Sequence, residues 1–172
     1  MRIILHFLYL SVLPVYLLLS TSIMAAQLID RPAPACNLTA LNGAPANSLQ
    51  ALKGEVLYVD FWASWCPPCI QSFPFLTGLQ QEYGERGLRV VGVNLDEKIV
   101  DAEKFLSDYP AGFTIVADLS KQCAKEFDVI AMPSSYLIDR EGIVRYIHRG
   151  FRQGETKELR LIVEQLLDYH PD

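Results

Sequence analysis

Val56-Leu57-Tyr58-Val59-Asp60-Phe61-Trp62-Ala63-Ser64-Trp65-Cys66-Pro67-Pro68-Cys69 decides how this chain is read. Its first seven residues are an apolar run with one acid, the pattern of a central strand covered on both faces. Behind it, Phe73, Leu76, Leu79 and Tyr83 keep helical spacing from about Pro67 to Tyr83. Proline is tolerated in a helix's first turn, where its missing amide hydrogen would be unbonded anyway. Two thiols two residues apart therefore fall at the carboxyl end of a buried strand and on the first turn of a helix. The positive end of the helix dipole favours a thiolate there, and the thiolate is the nucleophile of disulfide exchange. Cys66 is expected to face solvent and Cys69, one turn in, to be more buried. The stretch reads as a redox centre.

Zinc is the competing use of such a pair. It needs two further ligands, and the chain has no second C-x-x-C or C-x-x-H, so no metal is expected. Cys36 and Cys123 each lie on an apolar face, where a free cysteine serves as a small hydrophobe. The alternative is a structural disulfide joining the first strand to the third helix. The 172 residues suffice for one domain and a leader. With 20% charged and 51% hydrophobic residues the chain is globular, and its net charge of −5 argues against a nucleic-acid partner.

Ile3 to Leu19 is apolar apart from His6 and Ser11, with Arg2 in front and small residues behind. Residues 1–26 read as a secretory signal peptide or, if uncleaved, as an N-terminal membrane anchor through residues 3–24. The location is then periplasmic or otherwise extracytoplasmic, secreted across or anchored to the inner membrane. Residues 27–35 form a linker, and 36–170 the folded domain.

In chain order, Cys36 to Ala40 with a turn at Asn42-Gly43 suggests an edge hairpin. Ser48 to Leu52 gives one helical turn, and Leu88 to Leu95 a buried strand. Ala102, Phe105, Leu106 and Tyr109 mark a helix stopped by Pro110. A strand at Phe113–Ala117 precedes a helix lined by Leu119, Cys123 and Phe127. Ser134–Asp139 and Ile143–His148 form a hairpin, and Leu159, Ile162, Val163, Leu166 and Leu167 a last amphipathic helix. This order, β-β-α-β-α-β-α-β-β-α, predicts an α/β fold. Its mixed central sheet is flanked by helices, with parallel strands and an antiparallel edge.

The stretch from Val59 to Cys69 resembles the active-site segment of the thioredoxin superfamily. Met132-Pro133-Ser134-Ser135-Tyr136-Leu137-Ile138-Asp139-Arg140-Glu141-Gly142 resembles the segment that holds that superfamily's cis-proline. The strand-helix-strand insertion from about Arg89 to Ala117 and the apolar leader are similar to those of its TlpA/ResA branch. The resemblance implies a thioredoxin-like fold with an N-terminal β-hairpin extension and an αβ insertion. It also implies thiol-disulfide oxidoreductase activity on protein disulfides and dithiols outside the cytosol. Cys66 would attack, Cys69 would resolve the mixed disulfide, and the redox-active pair would be the only cofactor. The reducing direction is favoured, with cytochrome c maturation among its uses and a membrane electron donor as partner. The chain is expected to be a monomer.

Neither Pro67 nor Pro68 has an amide hydrogen to offer the Cys66 thiolate. Its stabilisation is expected from the helix dipole, the Cys69 amide and the Cys69 thiol. Asp60 matches the buried aspartate that resembles a proton acceptor for the resolving thiol. The branch's usual glutamate position is Ser72 here, which throws that role onto Asp60. Trp65, Met132 and Pro133 are the expected docking residues, and Trp62 is expected in the core. Three readings compete. A disulfide donor or isomerase would run the chemistry backwards. A thiol peroxidase would need a Pro-x-x-x-Thr-x-x-Cys loop that is absent. A redox-silent binding module would keep its partner without either thiol.

Overall fold

The computed structural model describes residues 28–46 and 48–169. The leader and His170 lie outside the described residues. Five strands form one sheet: β1 (Val56–Trp62), β2 (Leu88–Asn94), β3 (Thr114–Ala117), β4 (Ser134–Ile138) and β5 (Val144–Arg149). Among the described residues, four α-helices accompany them: α1 (Pro67–Tyr83), α2 (Ile99–Asp108), α3 (Gln122–Glu126) and α4 (Thr156–Asp168). The spatial order is β3-β2-β1-β4-β5. β1, β2 and β3 run parallel, while β4 is antiparallel to β1 and β5 to β4. All seven residues of β1 are buried, as a strand with two covered faces requires.

The pleat sends alternate β1 side chains to opposite layers. Val56 and Tyr58 pack with Leu76, Leu79 and Tyr83 of α1 and with Val163 and Leu167 of α4. Trp62 extends that layer toward Ala102 and Phe105 of α2. Leu57, Val59 and Phe61 face the other way, onto Cys36, Leu38, Cys123 and Phe127. Gly92, opposite Asp60 in β2, matters for its missing side chain. A Cβ there would lie 3.2 Å from Trp62 Nε1 and closer still to Ile115 and Phe113. Only glycine lets the indole lie across the strand.

Three expectations are corrected. The N-terminal segment turns at Asn42-Gly43, with Ala40 N–H donating to Ala44 and Ala46 N–H to Leu38. It makes isolated bridges, Thr39 to Pro45 and Thr39 to Ala117, and no strand. Pro45 has no amide hydrogen to extend a ladder. Leu119 is exposed and lies outside a helix. α3 begins only at Gln122, because Lys121 takes a left-handed φ of 60° and the Asp118 carboxylate accepts from Ala124 N–H at 2.8 Å. Cys36 and Cys123 are disulfide-bonded and leave no free cysteine. The second of the two readings for this pair therefore holds.

Candidate active site

β1 ends at Trp62, and the chain turns once before α1. Cys66 N–H donates to Ala63 C=O at 3.1 Å, and Cys66 is the helix N-cap in extended conformation. Ser64, in the middle of that turn, is pinned by the buried Asp96. Its amide donates to both carboxylate oxygens, at 3.2 and 3.0 Å, and its hydroxyl to Oδ1 at 2.9 Å. Asn94 Nδ2 donates to Oδ2 at 2.7 Å. Asp96, Asn94 and Ser64 did not emerge from the sequence as site residues. An acid just past the end of a buried strand, at the level of the dithiol, was the available signal.

Cys66 and Cys69 are joined by a disulfide. Cys66 is only 3% exposed and Cys69 fully buried, so the expectation of a solvent-facing Cys66 is corrected for the oxidised state. The bond draws both sulfurs into a cluster with Trp62, Phe73 and Phe105, against which Met132 and Ile70 pack. The Cys69 amide was expected to serve the Cys66 sulfur. In the oxidised state it donates to the Cys66 carbonyl at 3.0 Å. Pro67 and Pro68 lack donors for the Cys66 sulfur, and no acid in the first turn of α1 opposes the helix dipole there.

Trp62 is fully buried, whereas Trp65 beside Cys66 is 65% exposed. The Met132–Pro133 bond is cis. Pro133 C=O accepts from Gly150 N–H at 2.7 Å, but the Met132 amide and carbonyl make no hydrogen bond among the described residues. An extended polypeptide can therefore pair with that residue's backbone.

Asp60 lies in the middle of the sheet, 1% exposed, on the face that α1 covers. Burial pushes its carboxyl up to about 7, against a smaller lowering by the Ser135 hydroxyl. Ser135 Oγ donates to Asp60 Oδ1 at 2.6 Å, while Oδ2 has no partner. Ser72, also buried, spends its hydroxyl on Cys69 C=O at 3.1 Å and brings no acid to the site. Among the described residues, no group of three or more His, Cys, Asp or Glu is placed to hold a metal.

The family described as Redoxin matches residues 29–162. The chain belongs to the Redoxin family. This redoxin is 31% identical over 130 residues to thiol-disulfide oxidoreductase ResA of Bacillus thuringiensis subsp. konkukian, covering 76% of the chain and 75% of the relative. It is 36% identical over 134 residues to the thioredoxin-like protein YneN of Bacillus subtilis, covering 75% and 76%. Among solved structures, it resembles one described as a thiol:disulfide interchange protein DsbE from Chlorobium tepidum. The TM-score is 0.77 at 42% identity, over 81% of this chain and 97% of that one. The fold is thioredoxin-like, and with its Cys66–Cys69 pair this redoxin is a thioredoxin-like thiol-disulfide oxidoreductase.

Proposed function

We propose that this redoxin reduces disulfides of specific extracytoplasmic proteins through the Cys66–Cys69 couple. The observation that carries the reading is the dithiol at the start of α1, beside an exposed Trp65 and a Met132 with unspent backbone groups. Cys66, as thiolate, attacks a substrate disulfide and forms a mixed disulfide, expelling one substrate thiolate. Cys69 then attacks Cys66, the second substrate thiolate leaves, and the Cys66–Cys69 bond re-forms. Two electrons have moved from the protein to its substrate. Asp60 accepts the Cys69 proton in the second step, which a carboxyl titrating near 7 suits.

Trp65, Met132 and Pro133 bind the substrate backbone, and the soft, large Met132 favours apolar segments. Pro67 and Pro68 tune the couple by withholding donors, so the thiolate is stabilised moderately. A moderately stabilised thiolate belongs to a reductant, because a very stable one makes a dithiol strongly oxidising. The apolar leader and the pairing of all four cysteines support a place outside the cytosol, at or beyond the inner membrane. Electrons come from a membrane donor, the protein works as a monomer, and the substrates include the haem-attaching cysteines of c-type cytochromes.

The test is the reduction potential of the Cys66–Cys69 couple in the leaderless protein. A value near or below that of thioredoxin, about −270 mV, is expected. A value near the ~−120 mV of a strong periplasmic oxidant would assign the reverse direction.

A further inference from the structure

Asp60 sits in a place where a fixed charge is costly, and one side chain holds it. β1 and β4 are registered so that Asp60 stands directly opposite Ser135. Both are buried, and 2.6 Å separates Ser135 Oγ from Asp60 Oδ1. Such a short O–H···O contact with a carboxylate is the charge-assisted kind. Oδ2 has no partner.

Among the described residues, no charged group acts on Asp60 from the elements around it. On β1 itself its neighbours are Trp62 and Tyr58, which is held neutral by burial and by the Asp60 charge and also lies within hydrogen-bond reach of the Ser135 hydroxyl. β2 presents Gly92 and β4 presents Ser135 and Leu137. The buried residues of α1 include Cys69, Ser72, Phe73 and Leu76, of which only the Cys69 thiol titrates once reduced. α4 contributes Val163 and Leu167. Among the described residues, the Ser135 hydroxyl is the only polar group hydrogen-bonded to the carboxylate.

We propose that Ser135 is a positioning residue for disulfide resolution: its hydroxyl holds Asp60 Oδ1, fixing the carboxylate so that Oδ2 receives the Cys69 proton. This rests on the reading of Asp60 as the proton acceptor. In the step concerned, the Cys69 S–H bond breaks and its proton goes to Asp60 Oδ2. The Cys69 sulfur bonds to the Cys66 sulfur, and the Cys66–substrate S–S bond breaks with its electron pair leaving on the substrate thiolate. The donated hydrogen bond favours the ionised carboxylate, so Asp60 stays available as a base at lower pH than burial alone would allow. The same hydroxyl can rotate once Asp60 is protonated, since a serine oxygen both donates and accepts.

The experiment follows the second phase of reaction between the reduced full chain and excess oxidised glutathione, by stopped flow, across pH 5 to 9. The Asp60 carboxyl is titrated in parallel by infrared spectroscopy in the oxidised protein. Ser135→Ala is expected to move both midpoints up by about one pH unit, as loss of a hydrogen bond to a charged group implies, and Ser135→Thr to restore them. The second phase at pH 6 should slow by several-fold while the first phase, attack by Cys66, is unchanged. Ser135→Val, isosteric with the threonine variant, repeats the comparison if the alanine variant does not fold. Unmoved midpoints without the hydroxyl, with the transition erased in Asp60→Asn, would overturn the role of Ser135 and leave that of Asp60 standing. A transition that survives in Asp60→Asn would overturn both.

Discussion

Cys66–Cys69 and Cys36–Cys123 are the same bond in two settings. The first joins residues three apart, the second residues 87 apart. Exposure does not tell them apart, because all four cysteines are buried. Their surroundings do. Cys66 caps a helix start and has Trp65 beside it in solvent and Met132 packed against its cluster. Cys36 and Cys123 lie on the opposite face of the sheet among Leu38, Val116 and Phe127, with Cys123 on the first turn of the five-residue α3. One bond lies beside exposed surface at Trp65. The other closes most of the domain into a loop. Access and loop length, rather than burial, separate a reacting disulfide from a structural one.

The most direct way to break the contrast is to remove one sulfur from each bond. Cys66→Ser is expected to abolish reduction of a protein disulfide such as insulin, by at least about 1,000-fold, since no nucleophile remains. Cys123→Ala should retain most of that turnover. Equal losses in the two variants would mean that the second pair takes part in the chemistry.

Stability should respond in the opposite sense. Replacing Cys36 and Cys123 by alanine removes a constraint across 87 residues, worth about 4.6 kcal/mol in the chain-entropy account, whereas opening the three-residue link costs roughly 2 kcal/mol. Urea unfolding of the two double variants measures both. A larger loss at the Cys66 pair would reverse the assignment.

The Cys66 side also carries Asp60, a buried acid that holds its proton more tightly than a free carboxyl does. Asp60 has a folded value of about 7 against an ordinary 3.8, so the folded protein holds the proton more tightly than the unfolded chain. Stability from this group is present at acid pH and falls as pH rises from about 4 through 7. Asp60→Asn should flatten that fall and gain up to about 4 kcal/mol at pH 8. Thermal unfolding at pH 5 and pH 8 would show it, and an unchanged slope would locate the linkage elsewhere.

The smallest effect is at the rim. Trp65→Ala is expected to raise KM for a protein disulfide by about five-fold, near 1 kcal/mol, while the rate with a small aromatic disulfide holds. A matching drop with both substrates would place Trp65 in the chemistry of Cys66 instead of in docking.

Much of this could be read from the residues. The apolar run at Val56 and the spacing behind Pro67 gave β1 and α1 with the bounds seen in the structure. Local pattern could not give what depends on how strands are registered. Ser135 looks like any small residue in a strand until β4 lies against β1 and puts it opposite Asp60. Asp96 looks like a loop acid until β2 ends level with the Ser64 turn. The Cys36–Cys123 bond needs α3 and the N-terminal segment to meet on one face of the sheet, which no spacing encodes. The missing hairpin strands have a local cause, because Pro45 removes a donor that the ladder would use.

The N-terminal segment also gives the molecule a direction. Asp30 and Ala33 donate to Val144 and Gly142, at the β4–β5 turn. That turn lies at the end of the sheet away from Cys66, because β4 starts opposite Phe61 and runs back to Leu57. The seven residues of β1 put about 20 Å between the two ends. Whatever precedes Leu28 therefore joins the domain at the pole opposite its dithiol. A chain held by that end would carry its sulfurs on the outward side, toward visitors arriving from solution and away from its own mooring.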